Sequence, residues 1–323
     1  MSSQKEYKDR CKKVDLEYPN LGEYEEIKLL GFQKIKNNER EINFGKTRLS
    51  KSQEIIFKRT SELYSKFLKI QQLYEMFLKD FVEFNTSFHN FERGLSKRKN
   101  GSFSPENDFN RLLVHILSSG VLLVTYFENE MLRKYKRGSK EFVNWKKKLG
   151  EIYDNNFAYR FCYHLRNYTQ HEGLAIARME SRIGNKNPEK ELTCTLTIDP
   201  QTLLNTRYNW KKEIADELRS IKTSIDVRNL LSDFMDSIIL IYGIQNEIFL
   251  ECNHRELMEL RERHKSIYSE DKNPVLIITN KEELKRGTVS SLRPLITLQH
   301  INKIYYELSK IGLVDFKITT EKQ

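Results

Sequence analysis

The sequence predicts a mostly α protein: a helical bundle with an inserted β-hairpin and a small α/β appendage at its C-terminal end. Three observations carry this. Gly and Pro are scarce, 13 and 6 of 323 residues, while Leu, Ile, Phe and Tyr are abundant, which favours long helices over a sandwich or barrel. Apolar residues then recur every seven positions at Ile56, Leu63, Ile70, Phe77 and Phe84, a helical seam. Beyond Gly173 the period changes from helical to alternating.

Residues 1 to about 45 are charged and weakly periodic, with Pro19, Gly22, Gly31 and Gly45 as breakers, and read as a partly ordered arm. A long helix follows from about Ser50 to Gly94. Phe67, Tyr74, Phe81 and Phe88 complete its seam, and Tyr64, Leu68, Leu73, Leu78 and Val82 widen the stripe beyond a two-stranded coil, so it belongs in a bundle. The polar loop from Ser96 to Pro105 leads into a second helix, about Glu106 to Lys136. Its apolar run, Leu112 to Phe127, holds His115, Ser118, Ser119 and Gly120; it is shorter than the roughly 20 residues a bilayer span needs and reads as a core helix.

A short helix carrying Phe142, Trp145 and Leu149 comes next, then one from about Asn155 to Glu172, with Gly173 expected to stop it in the left-handed conformation. Leu192, Cys194, Leu196 and Ile198 alternate with threonines and pair with Leu174 to Ile183 as a hairpin. Thr223 or Ser224 caps another long helix towards Ser269. After Pro274, strand-like runs at Val275 to Thr279 and Leu313 to Ile318 flank a helix near Gln299 to Ile311. The resulting division is an arm, 1–45, a helical domain, 46–270, with the hairpin at about 174–199, and an appendage, 271–323.

The net charge of +10 and pI near 9.2 fit a polyanionic partner such as nucleic acid without requiring one. Cys11, Cys162, Cys194 and Cys252 show neither zinc spacing nor a disulfide framework, so no metal is expected and reduced thiols are. The N-terminus is too polar for a signal peptide. These features point to a cytoplasmic protein with no membrane partner.

The densest chemistry is Leu165-Arg166-Asn167-Tyr168-Thr169-Gln170-His171-Glu172-Gly173. Arg supplies a planar, permanently charged fork for phosphate, and His an acid/base group that titrates near neutrality. On an ideal helix Asn167 and His171 share a face, while Arg166 and His171 point about 140° apart. Three arrangements would bring them together: Arg166 curls round on its long stem, the last turn unwinds, or the Arg166 of a second copy meets this His171.

Arg160 and His164 extend the polar stripe of Asn167 and His171 beside the apolar stripe of Phe157, Phe161, Leu165 and Tyr168, which suggests a lined cleft. The basic stretch Arg133, Lys134, Lys136, Arg137, with Lys146, Lys147 and Lys148, offers phosphate contacts; Arg178 and Arg182 are lesser candidates. A solvated charge run, and a helix-end Arg/His pair that bonds backbone carbonyls, are the plain alternatives. Arg293 and His300 fit a loose version of the spacing, but Pro294 disfavours a helix there.

The nine residues resemble the signature of the HEPN family: Arg, a polar residue, three variable residues and His. The resemblance implies a HEPN-like bundle, a metal-independent endoribonuclease site without a cofactor, and a homodimer whose two protomers compose the site. It implies catalytic roles for Arg166, Asn167 and His171, with RNA as partner. It also implies a setting as a toxin or anti-phage effector, with a possible antitoxin or regulatory protein. One motif histidine per chain is a physical reason of its own for a dimer, since the reaction needs both a base and an acid. The alternative is a non-catalytic nucleotide-, RNA- or protein-binding module.

Overall fold

The computed structural model describes residues 2–36, 39–43, 48–96, 105–176, 178–182, 193–269 and 272–315. In chain order these form helix α1 (Ser2–Glu17), strands β1 (Ile27–Lys36) and β2 (Glu39–Asn43), and helices α2 (Lys51–Ser96), α3 (Pro105–Lys134), α4 (Lys140–Asn155) and α5 (Phe157–His171). Strands β3 (Arg178–Arg182) and β4 (Thr193–Ile198) follow, then α6 (Pro200–Leu204), α7 (Lys212–Ser220), β5 (Ile225–Asp226) and α8 (Val227–Ile267). The chain continues through β6 (Asn273–Thr279), α9 (Lys281–Arg286), β7 (Ser291–Pro294) and α10 (Leu298–Lys310). The protein is mostly helical, as its composition predicts.

The chain packs as two compact units, one from Met1–Leu68 with Glu247–Gln323, the other from Lys69–Asn246. This differs from the division expected at 45/46 and 270/271. In the first unit, β1 pairs antiparallel with β6 from Ile27 opposite Thr279 to Gln33 opposite Asn273, in a sheet of order β2-β1-β6-β7. The expected arm and the expected appendage therefore build one sheet. One of its faces, Ile27, Leu29, Val275 and Ile277, is buried with Val14 and Tyr18 of the α1 region. The other meets the start of α2, the end of α8 and the start of α10 through Leu30, Phe57, Tyr268 and Leu298. The expected strand at 313–318 is absent over 313–315, and 316–318 lie outside the described residues.

The second unit is the helical core. The seam residues Ile70, Phe77, Phe84 and Phe88 are buried there, with Phe77 edge-on to Phe234 of α8 and Phe84 edge-on to Phe109 of α3. Val82, expected to widen the stripe, is 58% exposed. Helix α3 passes close to Phe234: a Cβ on Gly120 would lie 2.8 Å from that ring and 3.2 Å from Phe77. Gly120→Ala is thus expected to destabilise the unit by about 1–3 kcal/mol through overpacking, which chemical denaturation measures. By length and composition α3 could cross a membrane, yet 56% of its most apolar window is buried in the protein.

The hairpin forms as expected, β3 antiparallel to β4, and β5 adds a third strand through Thr197 opposite Asp226; residues 183–192, which join β3 to β4, lie outside the described residues. The cap of α8 is Asp226, whose carboxylate accepts from Asn229 N at 2.9 Å, in place of Thr223 or Ser224. A carboxylate also suits the positive end of the helix dipole.

Candidate functional site

Asn156 stands between α4 and α5, ending the first and capping the second by accepting from Tyr159 N at 2.9 Å. The apolar face of α5, Phe161, Leu165 and Tyr168, is buried. Tyr168 stacks on Trp210 with ring centres 5.5 Å apart, and Phe161 stacks on the same indole at 5.9 Å. The segment between α6 and α7 is thereby laid along α5. Trp210 Nε1 donates to Leu203 O at 3.2 Å and fixes that segment in turn.

The last turn of α5 stays helical: Glu172 N donates to Tyr168 O at 2.9 Å, and Glu172 is itself right-handed. Gly173 is not in the left-handed region, so the expected glycine stop is corrected to an ordinary helical end. The last turn therefore does not unwind. Arg166 Nη1 donates to Asn167 Oδ1 at 3.1 Å, so guanidinium and carboxamide meet. Asn167 is four residues before His171 and shares its side of the helix. His171 is exposed; Arg166 Nε is buried with no hydrogen-bond partner among the described residues.

Tyr208 completes this group, and the sequence offered no periodic signal for it. Its hydroxyl interacts with the Asn167 side chain and donates to His164 O at 3.4 Å. The phenol's one proton goes to His164 O, so towards Asn167 its oxygen can only accept, from the amide nitrogen. Burial pushes the Tyr208 phenol up, with the neighbouring Asn167 side chain opposing it, so the phenol stays neutral. Tyr208 is itself held edge-on to Trp210 at 4.7 Å and to Tyr168 at 5.7 Å.

Arg160 and His164 do not line an open groove, and that expectation is corrected. Arg160 Nη1 donates to the Tyr153 and Asp154 carbonyls, each at 2.5 Å, and its Nη2 pairs with Glu217 of α7. It ties α4 to α5 and α7. His164 is 7% exposed, with Nε2 3.1 Å from the Tyr153 hydroxyl; burial, then the charge of Lys211, lowers its pKa and keeps it neutral. Arg160→Ala is expected to cost about 2–3 kcal/mol, the loss of charge-assisted hydrogen bonds with Glu217 left uncompensated, and to leave the salt dependence of RNA affinity unchanged. Denaturation and binding titrations at two salt concentrations check both halves.

The basic stretch is also placed elsewhere. Just beyond α5, Ile176 N donates to Asn110 Oδ1 at 2.9 Å and Asn110 Nδ2 returns a bond to Ile176 O, so the His171 end lies beside the start of α3. Lys146 instead pairs with Glu128 at 2.6 Å, 18 residues or about 27 Å further along α3. Arg133 pairs with Glu130 at 2.7 Å, Lys134 lies over the Tyr135 ring, and Lys147 is 4.0 Å from Glu151. Lys136 and Arg137 are exposed on the same far end. Lys148 lines a pocket of about 530 Å³ with Ile152, Leu240 and Ile244. These cations and His171 do not form one surface patch.

In comparisons with known proteins, the chain matches no family model, no curated protein and no solved structure. The HEPN resemblance therefore stays with the nine residues from Leu165 to Gly173. Among the described residues no cluster of three His, Cys, Asp or Glu side chains is arranged to hold a metal ion. Cys162 is fully buried and its thiol pKa is pushed well up by burial. The rival pair separates: Arg293 is on β7, while His300 accepts from Thr297 N at 3.1 Å and caps α10.

Proposed function

We propose that this protein is a metal-independent endoribonuclease of HEPN type, acting on RNA as a homodimer in the cytoplasm. What supports the reading is the hydrogen bond from Arg166 Nη1 to Asn167 Oδ1, which joins the guanidinium to a residue on the side of the helix that His171 shares. In the reaction a ribose 2′-OH attacks the adjacent phosphorus, its proton passes to a base, the bond to the 5′-oxygen breaks, and an acid protonates that oxygen. His171 of each of two copies supplies one of the two proton transfers. Arg166 neutralises charge on the phosphate, and Asn167 orients Arg166 and the substrate. Such an activity suits a toxin or anti-phage effector held in check by an antitoxin or other regulatory protein.

The test is RNA incubated with purified protein in chelator. Cleavage that leaves 2′,3′-cyclic phosphate ends and vanishes in His171→Ala supports the reading; equal decay with both proteins sinks it. A second reading, a module that binds nucleotide, RNA or protein without cutting, is favoured by the distance between the basic stretch and the His171 end of α5. Undiminished RNA binding by a chain that never cleaves would select it.

A further inference from the structure

In the first unit a cleft of about 420 Å³ opens between the sheet and the first turns of α2. Lys28, Leu276 and Arg293 come from the adjacent strands β1, β6 and β7. Leu276 sits opposite both Leu30 and Arg293, and Lys28 opposite Ile278, so the three share one face of the sheet. Opposite them stand Glu54, Phe57, Lys58 and Ser61 of α2, at the spacing of one helical face.

A helix packed on a sheet ordinarily meets it with apolar side chains. Here polar groups face a void whose floor is apolar: Phe57, Leu49, Leu276, Leu295 and Ile296. Three cations surround it with one carboxylate. Lys28 is taken up by Glu54 at 3.4 Å and Glu26 at 3.8 Å. Lys58 and Arg293 are exposed and have no acidic partner among the described residues, one on the helix and one on the sheet. The volume lies in the range of small-molecule sites.

We infer that this cleft binds a small phosphomonoester with a flat apolar body, the body lying on Phe57 and Leu276 and the phosphate held between Lys58 and Arg293. The binding is independent of the α5 motif. Titration calorimetry on the full chain, with phenyl phosphate, adenosine monophosphate, inorganic phosphate and adenosine as probes, tests it.

The two esters are expected to bind saturably and more weakly as salt rises, with phosphate alone and adenosine at least about tenfold weaker. Charge reversal at both cations, Lys58→Glu with Arg293→Glu, lowers ester affinity about tenfold or more. Ser61→Trp, which fills the cleft without changing charge, abolishes binding. His171→Ala and Arg166→Ala bind as the unaltered chain does. Absence of saturable binding, survival of binding in both cleft variants, or its loss in Arg166→Ala would overturn the assignment.

Discussion

His171→Ala is expected to lower RNA cleavage by about two to four orders of magnitude, the usual contribution of a positioned acid/base group, with stability changed by less than about 0.5 kcal/mol. The separation of the two effects follows from placement. His171 is the last residue of α5 and exposed, so its ring supports no packing, whereas Leu165 and Tyr168 on the same helix are buried. Arg166→Ala is expected to cost about two to three orders. Arg166→Lys does not restore the rate, because a point charge cannot span Asn167 and a phosphate as the planar fork can. Steady-state cleavage with denaturation of each variant measures all of this. A His171→Ala protein as fast as the original would remove the proton-transfer role.

Acid is expected to loosen the first unit over a defined window. His264 is fully buried, its Nε2 2.8 Å from Thr60 Oγ1 and its Nδ1 3.0 Å from the Tyr268 hydroxyl. Thr60 donates to Ile56 O, and Leu298 N donates to the Tyr268 oxygen. The bonds therefore run one way: Tyr268 O–H donates to Nδ1, and the Nε2 proton is given to Thr60. Protonating Nδ1 would break this chain. Burial, with His300 nearby, lowers the His264 pKa from its ordinary 6.5 to about 4.

Between those values the unfolded chain holds a proton that the folded one does not. The contribution is complete above pH 6.5 and is lost as pH falls towards about 4, at most about 3 kcal/mol. His300, also lowered by burial, acts in the same sense. Asp15, held below the ordinary carboxylate range by Lys285 and Lys281, loses its ion pairs only at lower pH, so the two phases separate. His264→Gln is expected to be less stable at pH 7 and to show a flatter pH profile above pH 4. A profile equally steep in the variant would show that His264 is not the group responsible.

The helices were legible because their cause is local. The seam from Ile56 to Phe84 is a spacing along one stretch of chain, and the buried residues fall where the spacing predicts. Strand β1 was read as part of an arm because the residues that make it a strand, Val275 and Ile277 of β6, lie some 240 positions away in sequence. The same limit applies at the site. Helix geometry relates Asn167 to His171 from the sequence alone, but Arg160 and His164 were assigned to a cleft. Glu217 of α7 and the tyrosines at 153 and 208, which occupy or cover those two, approach from other elements. Tyr208 itself stands in an irregular segment, where no period marks a side chain.

The pairing of β1 with β6 sets an order of events during synthesis on the ribosome. The stretch 69–246 is contiguous and able to collapse as soon as it emerges, whereas β1, although β2 follows it directly, waits until residues 273–279 are made before β6 can pair with its other edge. Until then the apolar edge of β1 is exposed to other nascent chains. Slow translation of the stretch that encodes residues 247–279 is therefore expected to favour aggregation, and a chaperone that shields β1 to raise the yield of native protein.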